Sequence, residues 1–332
     1  MVQVIAVIGV HPRVAISALC AIAAAICGAR LLAFSPSRQT SPAAHPEPAG
    51  DVEIQMKNVN FWLANDIVLE VRTLRGQLRR ARPASPVTFD DPASFLVAID
   101  CAEVGVTAAS LTALTNSYVL SYAGAPIKNV QVTIKGDRLV EKGTLHKGID
   151  LPFEIEGSLF PTQDGNIRMH ADKIGAAHVP VKGLLHLFGE DLAKLVNQNA
   201  GRGMEIIGDD IILNFRAMTP PPHLEGRVTR VTVTDGKIIQ FFDSGRHPAI
   251  LDPPLASAAY IYHRGGVLRF GRLTMQDADL ELVGDRPGVL NFFLRDYLKQ
   301  LVAGYSKTTP SNGLIAHVAD YLNLKGSGPK SR

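Results

Sequence analysis

The side chains able to do chemistry in this chain are His146, His170, His178 and His186, the acidic pair Asp90-Asp91, two serines close to lysines, and a run of arginines. A metal site needs ligands spaced along one helix face or on neighbouring strand positions; these histidines fall in no HExxH and the body has no cysteine pair to join them. They read as scattered surface or core residues. Asp90-Asp91 stands directly before Pro92, which favours a turn over a general acid–base pair. The stretch Gly304-Tyr305-Ser306-Lys307-Thr308 lacks the closing glycine of a nucleophile elbow. The one Ser-x-x-Lys, Ser327 to Lys330, lies in a Gly/Ser/Lys tail with no pocket to activate a hydroxyl. Gly201-Arg202-Gly203, with Gly208 next, does not have the spacing of a phosphate loop. The expectation is a chain without catalytic residues, metal or cofactor, and so not an enzyme.

Arg72, Arg75, Arg79, Arg80 and Arg82 form the one concentration of charge. They read either as a solvated strand end or as a contact for anionic lipid headgroups, where each basic residue gains ~1 kcal/mol near a charged leaflet. Nucleic acid is not expected. The cluster has no interleaved aromatics, and 34 Lys+Arg against 31 Asp+Glu leave a net charge of only +3. Aromatic residues make up 6%, with Trp62 the single tryptophan, so a stacking platform for sugars or bases is excluded as well.

The positioning elements begin with a membrane segment. Residues 14–34 are apolar apart from Arg30, and as a helix at ~1.5 Å per residue they match the hydrocarbon thickness of a bilayer. Cys27-Gly28-Ala29 is a poor cleavage site, and neither Cys20 nor Cys27 follows a lipoprotein box. An uncleaved signal anchor over 1–34 is the preferred reading. Residues 35–50, with Pro36, Pro42, Pro46 and Pro48, make an extended linker that holds the body off the membrane. Arg13 before the span and Arg30 and Arg38 after it leave orientation undecided by charge. Cys101 is the only body cysteine, so no disulfide within the body fixes the compartment.

The body predicts an α+β fold: antiparallel meander and hairpins packed against a few amphipathic helices. Val52, Ile54 and Met56 alternate with polar residues, Ile67–Arg80 reads as a second strand, and 95–104 as a third. Segments 130–140, 204–213 and 230–239 each read as strand, two-residue Gly/Asp turn, strand. A first helix follows Thr107 as N-cap, with Leu111, Leu114, Tyr118 and Tyr122 on one stripe. A second covers 182–199, with Leu184, Phe188 and Leu192 on its apolar face. A third carries Leu290, Phe293, Leu294, Tyr297, Leu298 and Leu301. Thr219-Pro220-Pro221-Pro222 breaks the chain, which places a boundary between 51–218 and a β-rich block with one helix at 219–324, unless both complete one sheet. Residues 325–332 read as a disordered tail.

The order of elements in 51–217 resembles the LmeA-like phospholipid-binding family of bacterial envelope proteins, which is similar in shape to tubular lipid-binding domains. The resemblance runs through the helix at 107–116, the meander NVQVTIKGDRLVEKGTL and LPFEIEGSLFPTQDGNIRMHADKI, the helix HVPVKGLLHLFGEDLAKLVN and the hairpin GMEIIGDDIILNF. It implies a sheet and helices enclosing an apolar cleft for acyl chains, on the periplasmic side of the cytoplasmic membrane. Leu111, Leu114, Tyr118, Leu184, Phe188 and Leu192 are then candidates to line the cleft, and Arg72, Arg75, Arg79 and Arg80 candidates to meet headgroups. The expected partner is phospholipid or another acyl-chain ligand. The alternative is a non-enzymatic docking component that recruits an envelope protein by strand addition.

Overall fold

The computed structural model describes residues 50–326, except 84, 147, 177–201, 235 and 256. The expected anchor, nearly all of the linker, the helix at 182–199 and residues 327–332 lie outside the described residues. Among the described residues no helix is long and apolar enough to cross a membrane.

Alternating apolar runs make strands throughout, and the fold is α+β with strand dominant. In chain order the strands are β1 Val52–Ala64, β2 Ile67–Arg80, β3 Val87–Thr88, β4 Phe95–Thr107, β5 Ile127–Lys135, β6 Arg138–His146, β7 Asp150–Pro161, β8 Ile167–Ala176 and β9 Met204–Ile207. There follow β10 Asp210–Leu213, β11 His223–Glu225, β12 Val228–Thr234, β13 Lys237–Asp243, β14 Tyr260–Phe270, β15 Leu273–Gly284, β16 Leu290–Phe293, β17 Tyr305–Thr308 and β18 Leu314–Val318. The large sheet runs β12-β13-β4-β2-β1-β14-β15-β18-β17, with β11, β16 and β3 pairing β4, β1 and β14; the small sheet runs β5-β6-β7-β8-β10-β9.

The boundary expected near 219 falls inside the large sheet. Strand β13 pairs with β4, and β14 with β1, so strands from both sides of the proline run share one ladder. The prolines stop local structure, but pairing between strands distant in sequence is indifferent to where the chain pauses. Residues 46–332 form one compact unit, and the whole described core, from Val52 to Val318, belongs to it. That unit therefore folds around a core of its own.

The three hairpins form as read, with Lys135 opposite Arg138, Ile207 opposite Asp210 and Thr234 opposite Lys237. The third helix does not. Leu290–Phe293 is a strand parallel to β1, and only Tyr297–Val302 is α-helical. All four residues of β16 are buried, Asn291 included, and its large apolar side chains fit a strand buried on both faces as well as they fit a helix stripe.

The first helix, α1 (Ala108–Leu114), continues as a π-turn to Val119, and Thr107 caps it by accepting from Ser110 N. It seals the edge of the small sheet. Asn116 Oδ1 accepts from Val130 N at 3.0 Å and its Nδ2 donates to Val130 O at 2.7 Å. One turn earlier, Thr112 Oγ1 accepts from Val132 N at 2.9 Å. Residues four apart on a helix stand about as far apart as residues two apart on a strand. The two side chains thus take the place of a neighbouring strand along β5, an edge that would otherwise be open to pairing.

Strands β1 and β2 change face together. Inward residues run Val52, Ile54, Met56 and then Val59, Phe61, Leu63; opposite them run Ile67, Leu69, Val71 and then Leu74, Leu78. Asn58 takes up the change with φ of 52°, and Arg72 and Thr73 both come out exposed.

A strap, residues 244–259, returns from β13 to β14 across one row of the large sheet. In that row Gln55 stands opposite Arg75 on one side and Tyr262 on the other, and Tyr262 opposite Glu281. The strap is tied at each step: Ser244 N donates to Asp100 O (2.8 Å), Arg75 to Pro248 O (2.6 Å), and Leu255 N to Glu281 Oε2 (2.7 Å). Gln55 holds both the N–H and the carbonyl of Leu251, at 2.9 and 3.0 Å. Burial of Gln55, Asp100 and Glu281 follows, because buried polar groups are retained where they find partners.

At Gly76, where β2 kinks against β4, a Cβ would lie 2.1 Å from Ala98 O. Gly76→Ala is expected to cost about 3 kcal/mol or more, since backbone on both sides must shift. Urea unfolding of 46–332 measures it, and a loss under about 1 kcal/mol would show that β4 yields freely.

Candidate functional site

The small sheet presents a pocket lined by Thr115 and Leu120 from the π-turn and its end, Ile127 and Val130 from β5, Glu141 from β6, Phe153 and Ile155 from β7, Ala171 and Ile174 from β8, and Met204, Ile206, Gly208, Asp209 and Ile211 from the last hairpin. Alternation puts these side chains on one face, with the irregularity in β5 between Lys128 and Gln131 and that in the β7–β8 pairing at Glu156 and Gly157 bringing Ile127 with Val130 and Ala171 with Ile174 to the same side. The cavity volume is about 40 Å³, the pocket is open on one side, and most of its lining is apolar.

One residue departs from the pattern. Along β6 the inward positions are Leu139, Glu141, Gly143 and Leu145, so a carboxyl stands where alternation calls for an apolar side chain. Register places it in a row with Val132, Ile155 and Ile174 on the adjacent strands. Beside it, Gly143 leaves room for the Phe153 ring, whose Cζ would lie 2.8 Å from a Cβ at that position. Burial among these groups is the one influence on the Glu141 carboxyl, and it pushes the pKa up to about 7 because a charge is poorly solvated there.

The expected lining residues fare differently. Leu111 and Leu114 are buried in the core and do not line this pocket; Tyr118 is half-buried against the same core. The stripe correctly marks the inward helix face, but the tight α1–sheet contact consumes it, and the residues that follow the helix reach the pocket instead. Leu184, Phe188 and Leu192 lie outside the described residues. The pocket residues that the helix stripes do not reveal carry their signal in the alternation of 139–145 and of 204–206, while Ile127 and Val130 share a face only through the irregularity between them.

Three of the arginines meet acids, and two meet only backbone carbonyls. Arg72 pairs with Glu103 (3.5 Å), Arg79 with Glu225 (3.5 Å) and Arg82 with Asp91 (3.6 Å). Arg75 holds the strap, and Arg80 donates to Pro83 O at 2.7 Å. The acids come from β4, β11 and the turn before Pro92, the first two far from the cluster in sequence. Such exposed pairs contribute little to stability, but they offset the local charge that headgroup binding would use.

The remaining chemical candidates sit apart from one another. His146 contacts Asp150 (2.7 Å) and His170 contacts Asp210 (2.8 Å); His178 and His186 lie outside the described residues. No cluster of three or more metal-ligating side chains occurs among the described residues. Asp91 caps the short turn Pro92–Ser94, while Asp90 accepts from the Tyr297 hydroxyl at 2.9 Å. Comparison with protein families, with curated proteins and with solved structures finds no match to this chain.

Proposed function

We propose that this chain is a membrane-anchored bacterial envelope protein that binds the apolar part of a lipid in the pocket of the small sheet, without catalysis. The observation that carries the reading is the lining: aliphatic and aromatic side chains from five strands and the end of the π-turn converge on one opening. A lipid site asks for apolar area and few fixed polar groups. The resemblance of 51–217 to LmeA-like phospholipid-binding proteins points the same way and supplies the envelope setting, with the body on the periplasmic side. The docking alternative by strand addition has lost one edge, since α1 occupies β5.

Native mass spectrometry of 46–332 purified from a bacterial host, with lipid extraction, tests the proposal. Stoichiometric co-purified lipid is expected, and Ile155→Asp combined with Ile211→Asp should abolish it. A folded, lipid-free body that also fails to take up decyl-chain amphiphiles would sink the reading and turn the search to protein partners.

A further inference from the structure

We infer that the pocket is built for an alkyl chain whose polar end is an ammonium group, and that Glu141 is the acceptor for that end; this rests on the lipid-binding reading above. Two acids, Glu141 and Asp209, are the charged residues among the described lining, and no Lys, Arg or His is among them. A phosphate or carboxylate placed in this cavity would meet like charge in an apolar surround, where repulsion is poorly screened. An ammonium brings the missing countercharge and three donors to a carboxylate that its own strand row cannot satisfy, because Val132, Ile155 and Ile174 offer it only hydrocarbon.

The chain of such a ligand can lie along Ile127, Ile155, Met204 and Ile211, the hydrocarbon wall of the same pocket. Glu141 is out of keeping with its face for any purely structural purpose, since leucine or valine would fill the same inward position without a desolvation cost. A carboxyl there acquires a use when a cation enters.

The test uses decylamine, decanol and decanoate, each below its micelle threshold, titrated calorimetrically into 46–332 at pH 7.5. The expected order is amine first, with at least a tenfold advantage over decanoate, and decanol between them. In Glu141→Gln the amine advantage should fall to less than about threefold while decanol binds as before, which also shows that the variant is folded and its pocket intact. Decanoate binding as tightly as decylamine overturns the inference and leaves the lipid-binding reading standing, as does an amine preference unchanged in Glu141→Gln. Binding of none of the three overturns both.

Discussion

Glu141→Gln makes the protein more stable at pH 8, by about 2–3 kcal/mol relative to its effect at pH 4.5. The carboxyl has an ordinary pKa of 4.5 and is raised to about 7 in the folded protein, so the folded state holds this proton more tightly than the unfolded chain does. Its contribution is fully favourable below about pH 4.5, declines as pH rises toward 7, and is flat beyond. Each tenfold difference in proton affinity between the two states corresponds to about 1.4 kcal/mol, and the partial exposure of Glu141 keeps the effect somewhat below the full product. Glutamine has nearly the same shape and no charge to desolvate. Urea unfolding of 46–332 and its variant at half-unit steps from pH 4.5 to 8 isolates the difference, because other titrating groups are common to both. Parallel curves would show that water reaches the carboxyl freely.

A second large effect is expected at the sealed edge. Thr112→Val with Asn116→Leu keeps the volume of both side chains and removes their hydrogen bonds to Val130 and Val132. Three well-formed bonds contribute about 1 kcal/mol each, and leaving Val130, which is buried, with unpaired backbone groups adds to this. A loss of about 4 kcal/mol follows, together with a concentration-dependent dimer as β5 becomes available for pairing. Thermal melting and light scattering read the two consequences separately. A loss below about 1 kcal/mol, with the protein still monomeric, would mean that the helix only covers the edge and does not bond it.

What the sequence makes legible is what is local. Gly136-Asp137 and Gly208-Asp209 announce their hairpins because a two-residue turn depends on the turn residues themselves, and Thr107 announces its helix because a cap bonds three residues on. Leu290–Phe293 misleads because its partner, β1, is more than two hundred residues away and nothing in the short Leu-Asn-Phe-Phe segment distinguishes strand from helix. The proline run at 219 suggests a boundary for the same reason, since the pairing that crosses it is invisible from either side. The site divides similarly. Its location among the strands of 127–213 lies within the region that the element order singles out, but the helix stripes point to leucines that are spent in the core. Glu141 is readable as a parity violation between Leu139 and Leu145, whereas the partners of Arg72 and Arg79, Glu103 and Glu225, come from strands the arginine run does not announce.

The strap over the large sheet bears on how that sheet keeps its alignment. Its ties to Arg75, Gln55 and Glu281 reach the strands through their side chains rather than through the ladder, and each fits only when the strands beneath stand in one particular offset. A slip of β1 by a single residue would turn Gln55 to the opposite face and replace it under Leu251 with Ile54 or Met56, neither of which can hold a peptide group. The loop thus works as a gauge laid across the sheet: it closes only over correctly set strands, and once closed it opposes the sliding that ladder bonds by themselves permit.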